Sequence, residues 1–315
     1  MSDPTVPILS ATFGIAIGIF IIAAGVRSNR RRNQPPLLPE PPPYFPDPND
    51  PYTIPVTSPD PVPANPPPVV SGIPVWPYRK LDFAFAGLII LIFGALGLST
   101  AAADPSEIEY TSGALVTSIL FQFIIAGITM MFVVWRINPV DWLGLRWPHW
   151  TAQNRALWLF VATPIITGLL IGGMVVLHAL KYMEWMESLG AEPIQESVKV
   201  LQQSKDTVVV ALMAVAAVVA APVCEEIIFR GYLFGVAKRY AGTGIAILCS
   251  GLIFAAAHGN LTALLPLTIV GMALAAVYDF TKSIWAPIAV HFCFNGFTVV
   301  VQLVARAYPH LIPQQ

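Results

Sequence analysis

Eight apolar stretches dominate this chain of 315 residues, at about 7–26, 82–103, 113–135, 155–178, 207–224, 243–258, 261–280 and 284–305. A helix needs about 20 apolar residues to cross a hydrocarbon layer roughly 30 Å thick, and all but the short sixth stretch come close to that. Backbone amides inside lipid must pair within their own segment, so such stretches fold as helices. Composition excludes a soluble alternative. Charged residues are 11% of the chain, AVILMFWYC residues are 56%, and the mean hydropathy is +0.67. An ordinary soluble domain carries about 25% charged residues. A net charge of −1 leaves no basic face for nucleic acid. The expected fold is all-α: a polytopic transmembrane helix bundle of about eight spans, one N-terminal anchor plus a seven-helix membrane core.

Charge placement orients the bundle. No Lys or Arg precedes the first stretch, while Arg27, Arg30, Arg31 and Arg32 follow it. That pattern predicts an uncleaved anchor over 1–28 with its N-terminus outside, in the cell membrane, rather than a signal peptide. Alternating eight spans from there puts twelve of the 17 Lys/Arg on the cytoplasmic side. Residues 29–78 hold eighteen of the 30 prolines. Proline lacks an amide donor and fixes φ, so neither helix nor sheet is expected there. The segment reads as a cytoplasmic polyproline-II-like tether, a spacer or a docking strip for a cytoplasmic partner. Residues 79–206 read as accessory spans with an outer loop at 181–206. Trp142, Trp147 and Trp150 mark a headgroup layer. Residues 207–308 form the remaining core. Cys224, Cys249 and Cys293 lie in or beside apolar runs, and their odd number argues against a disulfide framework.

Polar groups inside spans are costly, about 2.5–3.5 kcal/mol for a charge at the bilayer centre, and therefore informative. Glu225 and Glu226 follow the uncharged run Thr207–Cys224. Glu226 and Arg230 are four apart on a helix and can pair. Glu225 lies about 100° around from Glu226, so it is expected to project elsewhere and to be free to act as a base. His258 lies four residues after Phe254. His291 and Asn295 are again four apart, two donors on one wall of a span, as an oxyanion site requires. Each feature also has a structural reading: a span terminus, an interfacial histidine, an interhelical hydrogen-bond pair. Three such features in neighbouring helices favour one shared polar pocket.

Glu225-Glu226-x-x-x-Arg230, Phe254-x-x-x-His258 and His291-x-x-x-Asn295, in this order, resemble the CPBP family of CAAX-processing and bacteriocin-processing intramembrane proteases. The resemblance covers about residues 207–297. It implies that 207–308 is a protease core that hydrolyses a peptide bond within the membrane. Glu225 and His258 would activate a water, His291 and Asn295 would hold the oxyanion, and Glu226 and Arg230 would order the pocket. The implied partners are the lipid bilayer and a membrane-associated protein or lipid-modified, CAAX-type peptide. Cofactor use stays open. No HExxH is present and a metal-free mechanism is favoured, but zinc, if bound, would draw on Glu225, His258 and His291. The alternative is a non-proteolytic membrane scaffold or immunity-type partner that uses the same polar cluster structurally.

Overall fold

The computed structural model describes residues 4–33, 73–103, 110–147, 150–191 and 196–308, and these are helical with no strand among them. Ten helices carry the fold: α1 Thr5–Arg32, α2 Lys80–Ala102, α3 Ser112–Val134, α4 Ala152–Ala179, α5 Tyr182–Ser188, α6 Glu196–Gln203, α7 Thr207–Ala241, α8 Thr243–Ala256, α9 Leu264–Thr281 and α10 Trp285–Ala307. Seven are long and apolar enough to cross a membrane; α8, with 14 residues, is the short eighth. The protein is thus an integral multi-pass membrane protein. The proline-rich tether falls largely on residues 34–72, outside the described residues.

Two expectations change. The fifth stretch does not end at residue 224: α7 runs on to Ala241. Its 35 residues reach about 50 Å at ~1.5 Å per residue, so Glu225, Glu226 and Arg230 lie inside a helix rather than at its end. The tryptophans differ too. Trp142 and Trp147 are buried in protein rather than set in a headgroup layer. The Trp142 Nε1–H donates to Tyr78 Oη at 2.9 Å, and its carbonyl accepts from Tyr278 Oη at 2.9 Å. An indole whose N–H finds a protein partner can leave the interface.

The helices meet where side chains are small. Gly251 of α8 and Gly271 of α9 cross so closely that a Cβ on Gly271 would lie 2.9 Å from the Gly251 Cα. Small residues at such a crossing let backbones approach and gain packing that lipid cannot supply. α1 packs mainly on α8, with Leu9 and Ala16 fully buried. The first span is therefore built into the bundle rather than appended to it. α10 packs on α4 and α7, and α3 packs on α7.

Two ion pairs fasten the ends of spans. Arg136 grips Asp82 of α2 at 2.6 and 2.7 Å, and Tyr232 Oη donates to the Asp82 carbonyl at 3.1 Å. The hydrogen bond to Asp82 raises the Arg136 pKa above its ordinary value. Lys238 of α7 and Asp279 of α9 pair at 2.6 Å. Together they hold the buried Ile73: Lys238 Nζ donates to its carbonyl at 2.9 Å, and its N–H donates to Asp279 Oδ1 at 3.1 Å. The chain leaving the proline-rich segment is thereby fastened to α7 and α9.

Candidate active site

The site grows from an irregularity in α7. Ala216–Ala220 and Glu226–Phe234 are π-helical, with Pro222 between them. π-segments widen a helix locally and occur often at functional sites. In the first segment the Ala221 N–H bonds to the Ala216 carbonyl, five residues back. The next bond in that register would run from residue 222 to the Ala217 carbonyl, but proline has no N–H. Asn295 of α10 supplies the missing donor: its Nδ2 reaches the Ala217 oxygen at 2.8 Å. A proline in one helix and an amide in another thus close one hydrogen-bond deficit.

This accounts for one amide hydrogen of Asn295 and leaves the second available. It also makes a prediction. Asn295→Ala orphans a backbone carbonyl inside the bundle, a loss of about 1–3 kcal/mol. Adding Pro222→Ala restores the N–H and should recover part of the fall in melting temperature. Two strictly additive losses would refute the pairing.

One turn further along α7, Glu226 and Arg230 are fully buried and paired at 2.9 Å. Glu226 Oε1 is shared with the Nδ1 of His291 at 2.8 Å. The second guanidinium nitrogen, Nη2, donates to the Gly271 carbonyl at 3.1 Å. The glycine crossing described above lets α9 present that carbonyl. Arg230 also lies over the Phe254 ring, 4.4 Å from its centroid, a cation–π contact with α8. One ion pair therefore ties α7, α8, α9 and α10 together.

Glu225 is held differently. Its side chain is 18% exposed, and its Oε2 lies 4.0 Å from His291 Nε2, beyond hydrogen-bond length. That oxygen is buried and has no partner among the described residues. The 100° offset does not send Glu225 elsewhere: the His291 ring lies between the two carboxylates, bonded to one and facing the other. His258 lies in the turn beyond the end of α8 and is exposed. Its Nδ1 is 2.8 Å from the Phe254 carbonyl. A carbonyl only accepts, so Nδ1 carries the hydrogen and in a neutral ring Nε2 is left as an acceptor. His258 joins the cluster through Phe254, whose ring meets both imidazoles, at 4.8 Å and 5.9 Å between centroids.

The structure thus links Glu225, Glu226, Arg230 and His291 directly, His258 through an aromatic ring, and Asn295 through the backbone of α7. Among the described residues, no three His, Cys, Asp or Glu side chains converge as a metal site. The zinc set Glu225, His258 and His291 therefore does not come together as a metal site in this arrangement. Sequence reading missed the Gly271 carbonyl, the Pro222–Ala217 deficit and the pairs Asp82–Arg136 and Lys238–Asp279. Only Pro222, a proline amid an apolar run, was a usable signal. The paired charges sit on segments far apart in the chain.

Taken together, fold and site define a multi-pass membrane protein with a buried carboxylate–imidazole cluster beside one unpartnered carboxylate. Residues 207–297 match the Type II CAAX prenyl endopeptidase Rce1-like family. The chain is 39% identical over 94 residues to the putative membrane peptidase YdiL of Bacillus subtilis (strain 168), covering 30% of this chain and 38% of that protein. It is 34% identical over 88 residues to the membrane-embedded CAAX protease MroQ of Staphylococcus aureus (strain USA300), covering 26% of this chain and 36% of the relative. The chain therefore spans well under half the length of either relative. No solved structure matches it. These matches bear out the resemblance read from the three motifs.

Proposed function

We propose that this protein is an intramembrane endopeptidase that hydrolyses a peptide bond in a membrane-associated protein or peptide, with prenylated CAAX-type substrates the first class to test. One observation carries the reading. Of two adjacent carboxylates in a buried cluster, Glu226 is bonded through its Oε1 to both Arg230 and His291, while Glu225 makes no hydrogen bond among the described residues; the Oε2 of each is buried without a hydrogen-bond partner. Neighbouring carboxylates in unlike surroundings divide acid–base roles.

Glu225 Oε2 and His258 Nε2 are acceptors that hold an attacking water by its two hydrogens. As the water oxygen bonds to the scissile carbonyl carbon, Glu225 takes a proton. It returns that proton to the leaving amine as the C–N bond breaks. The second amide hydrogen of Asn295, with His291 Nε2 when protonated, stabilises the oxyanion. Glu226 and Arg230 touch no reacting atom and act as positioning residues.

The test uses full-length protein in mild detergent with a fluorogenic prenylated CAAX peptide and its unprenylated twin. Cleavage that survives excess chelator and is lost in His258→Ala is the expected result. Loss on chelation with recovery on adding zinc would reverse the metal-free reading. A second reading has its own support: the Glu226–Arg230 pair joins four helices, as a structural lock in a scaffold would. A properly folded His258→Ala variant with undiminished cleavage would favour that lock.

A further inference from the structure

Two cavities share one side of α1. The larger, about 690 Å³, lies between α1, α2, α7 and α8 behind an apolar wall that includes Phe20, Phe83 and Val236. The smaller, about 300 Å³, is lined by Arg27 and Arg32 of α1 and by Arg239 and Tyr240 of α7. On α1 the first arginine of the smaller cavity, Arg27, comes six residues after Ile21 of the larger, and on α7 Arg239 comes two residues after Ala237. An aromatic collar separates the two cavities. Phe20 stacks on Phe83 at 5.5 Å, and Phe83 meets Tyr240 edge-on at 5.9 Å. Phe20 and Phe83 face the larger cavity and Tyr240 the smaller. The two spaces follow one another along α1 on either side of this collar, the first apolar and the second cationic where the α1 span ends.

The cationic end is unbalanced. Among the described residues, no carboxylate pairs with Arg27, Arg32 or Arg239. The start of α8 adds to the imbalance. Gly242, its N-cap, has φ +93°, and a Cβ there would lie 2.5 Å from Arg27 Nη1. Glycine lets that guanidinium sit beside a helix N-terminus, the positive end of the helix dipole. Like charges gathered around one cup repel one another, and an anion relieves the repulsion. Guanidinium forks suit phosphate oxygens. Basic pockets between membrane helices take phospholipid headgroups.

We propose that these two spaces together bind an anionic phospholipid, its phosphate in the Arg27–Arg32–Arg239 cup and its acyl chains in the apolar cavity. The site is separate from the Glu225 cluster and stands whether or not the protein is a peptidase. Its cationic end joins α1 to the helix that carries Glu225 and Glu226.

The experiment measures thermal protection of the full chain in mild detergent by phosphatidylglycerol, phosphatidylcholine, inorganic phosphate and a prenylated CAAX peptide. Three proteins are compared: wild type, the triple variant Arg27→Gln/Arg32→Gln/Arg239→Gln, and Gly87→Leu. Gly87 lines the larger cavity with open space around its Cβ position, so leucine fills that cavity without a clash. Phosphatidylglycerol should protect wild type far better than phosphatidylcholine. Removing three charges should weaken its binding roughly 100-fold. Gly87→Leu should lose the lipid while the cup stays intact. Equal protection by both lipids, or an undiminished phosphatidylglycerol preference in the triple variant, would overturn the proposal. Inorganic phosphate matching the lipid would reduce the site to a free-phosphate cup and overturn the lipid assignment. Arginine-dependent protection by the peptide and not by phosphatidylglycerol would reassign the two spaces to substrate.

Discussion

Glu225→Gln is expected to lower peptide cleavage by about 10²–10⁴-fold, the usual worth of a general base, while leaving the melting temperature close to wild type. The asymmetry follows from the local geometry. Glu225 makes no ion pair within hydrogen-bond length, and its Oε2 has no partner among the described residues. An amide of the same shape therefore breaks no bond that holds the helices. It only removes the group able to take a proton from water. Cleavage rate and melting temperature, measured on one preparation, check the claim. A marked fall in melting temperature would transfer Glu225 to the structural set. Full retained cleavage would remove it from the chemistry.

Arg230→Met should do the reverse, a fall in melting temperature on the order of 10 °C. Removing one member of a buried pair leaves the other as an uncompensated buried charge, at about 3–5 kcal/mol. Here the damage spreads, because the guanidinium also donates to Gly271 of α9 and lies over Phe254 of α8. The double variant Glu226→Gln/Arg230→Met tests the cause. It removes both charges but keeps an acceptor for the His291 Nδ1–H. If the stranded charge is the cost, the double variant melts well above the single one. If it melts no higher, the lost contacts to Gly271 and Phe254 dominate instead. Differential scanning fluorimetry of the three proteins separates these results.

The two predictions concern adjacent stretches of one helix, yet the sequence treats their residues differently. The Glu226–Arg230 pairing was legible because it is local: four residues on a helix bring two side chains to one face whatever surrounds them. The π-helical register of Glu226–Phe234 did not disturb it. The direction of Glu225 was not legible. A helical offset says how far a side chain rotates from its neighbour, but not which helix stands there. His291 of α10, 66 residues away in sequence, occupies that position. Asn295 illustrates the same point. Its spacing from His291 places it on the polar wall, but its bond to the Ala217 carbonyl depends on a proline in another helix.

The all-helical, multi-pass architecture and the segments bearing Glu225, Glu226, Arg230, His258, His291 and Asn295 followed from the sequence alone. Lipid leaves backbone amides no other partners, and charges inside apolar runs are too costly to be incidental. Tertiary structure alone decided that α7 continues through the acidic pair, that α1 is built into the bundle, and that Trp142 is buried against Tyr78. It also decided which carboxylate is bonded to Arg230 and His291 and which makes no hydrogen bond. Those outcomes depend on contacts between segments tens to hundreds of residues apart. Their geometry comes from helix crossings, such as Gly251 against Gly271, that periodicity along one helix does not encode.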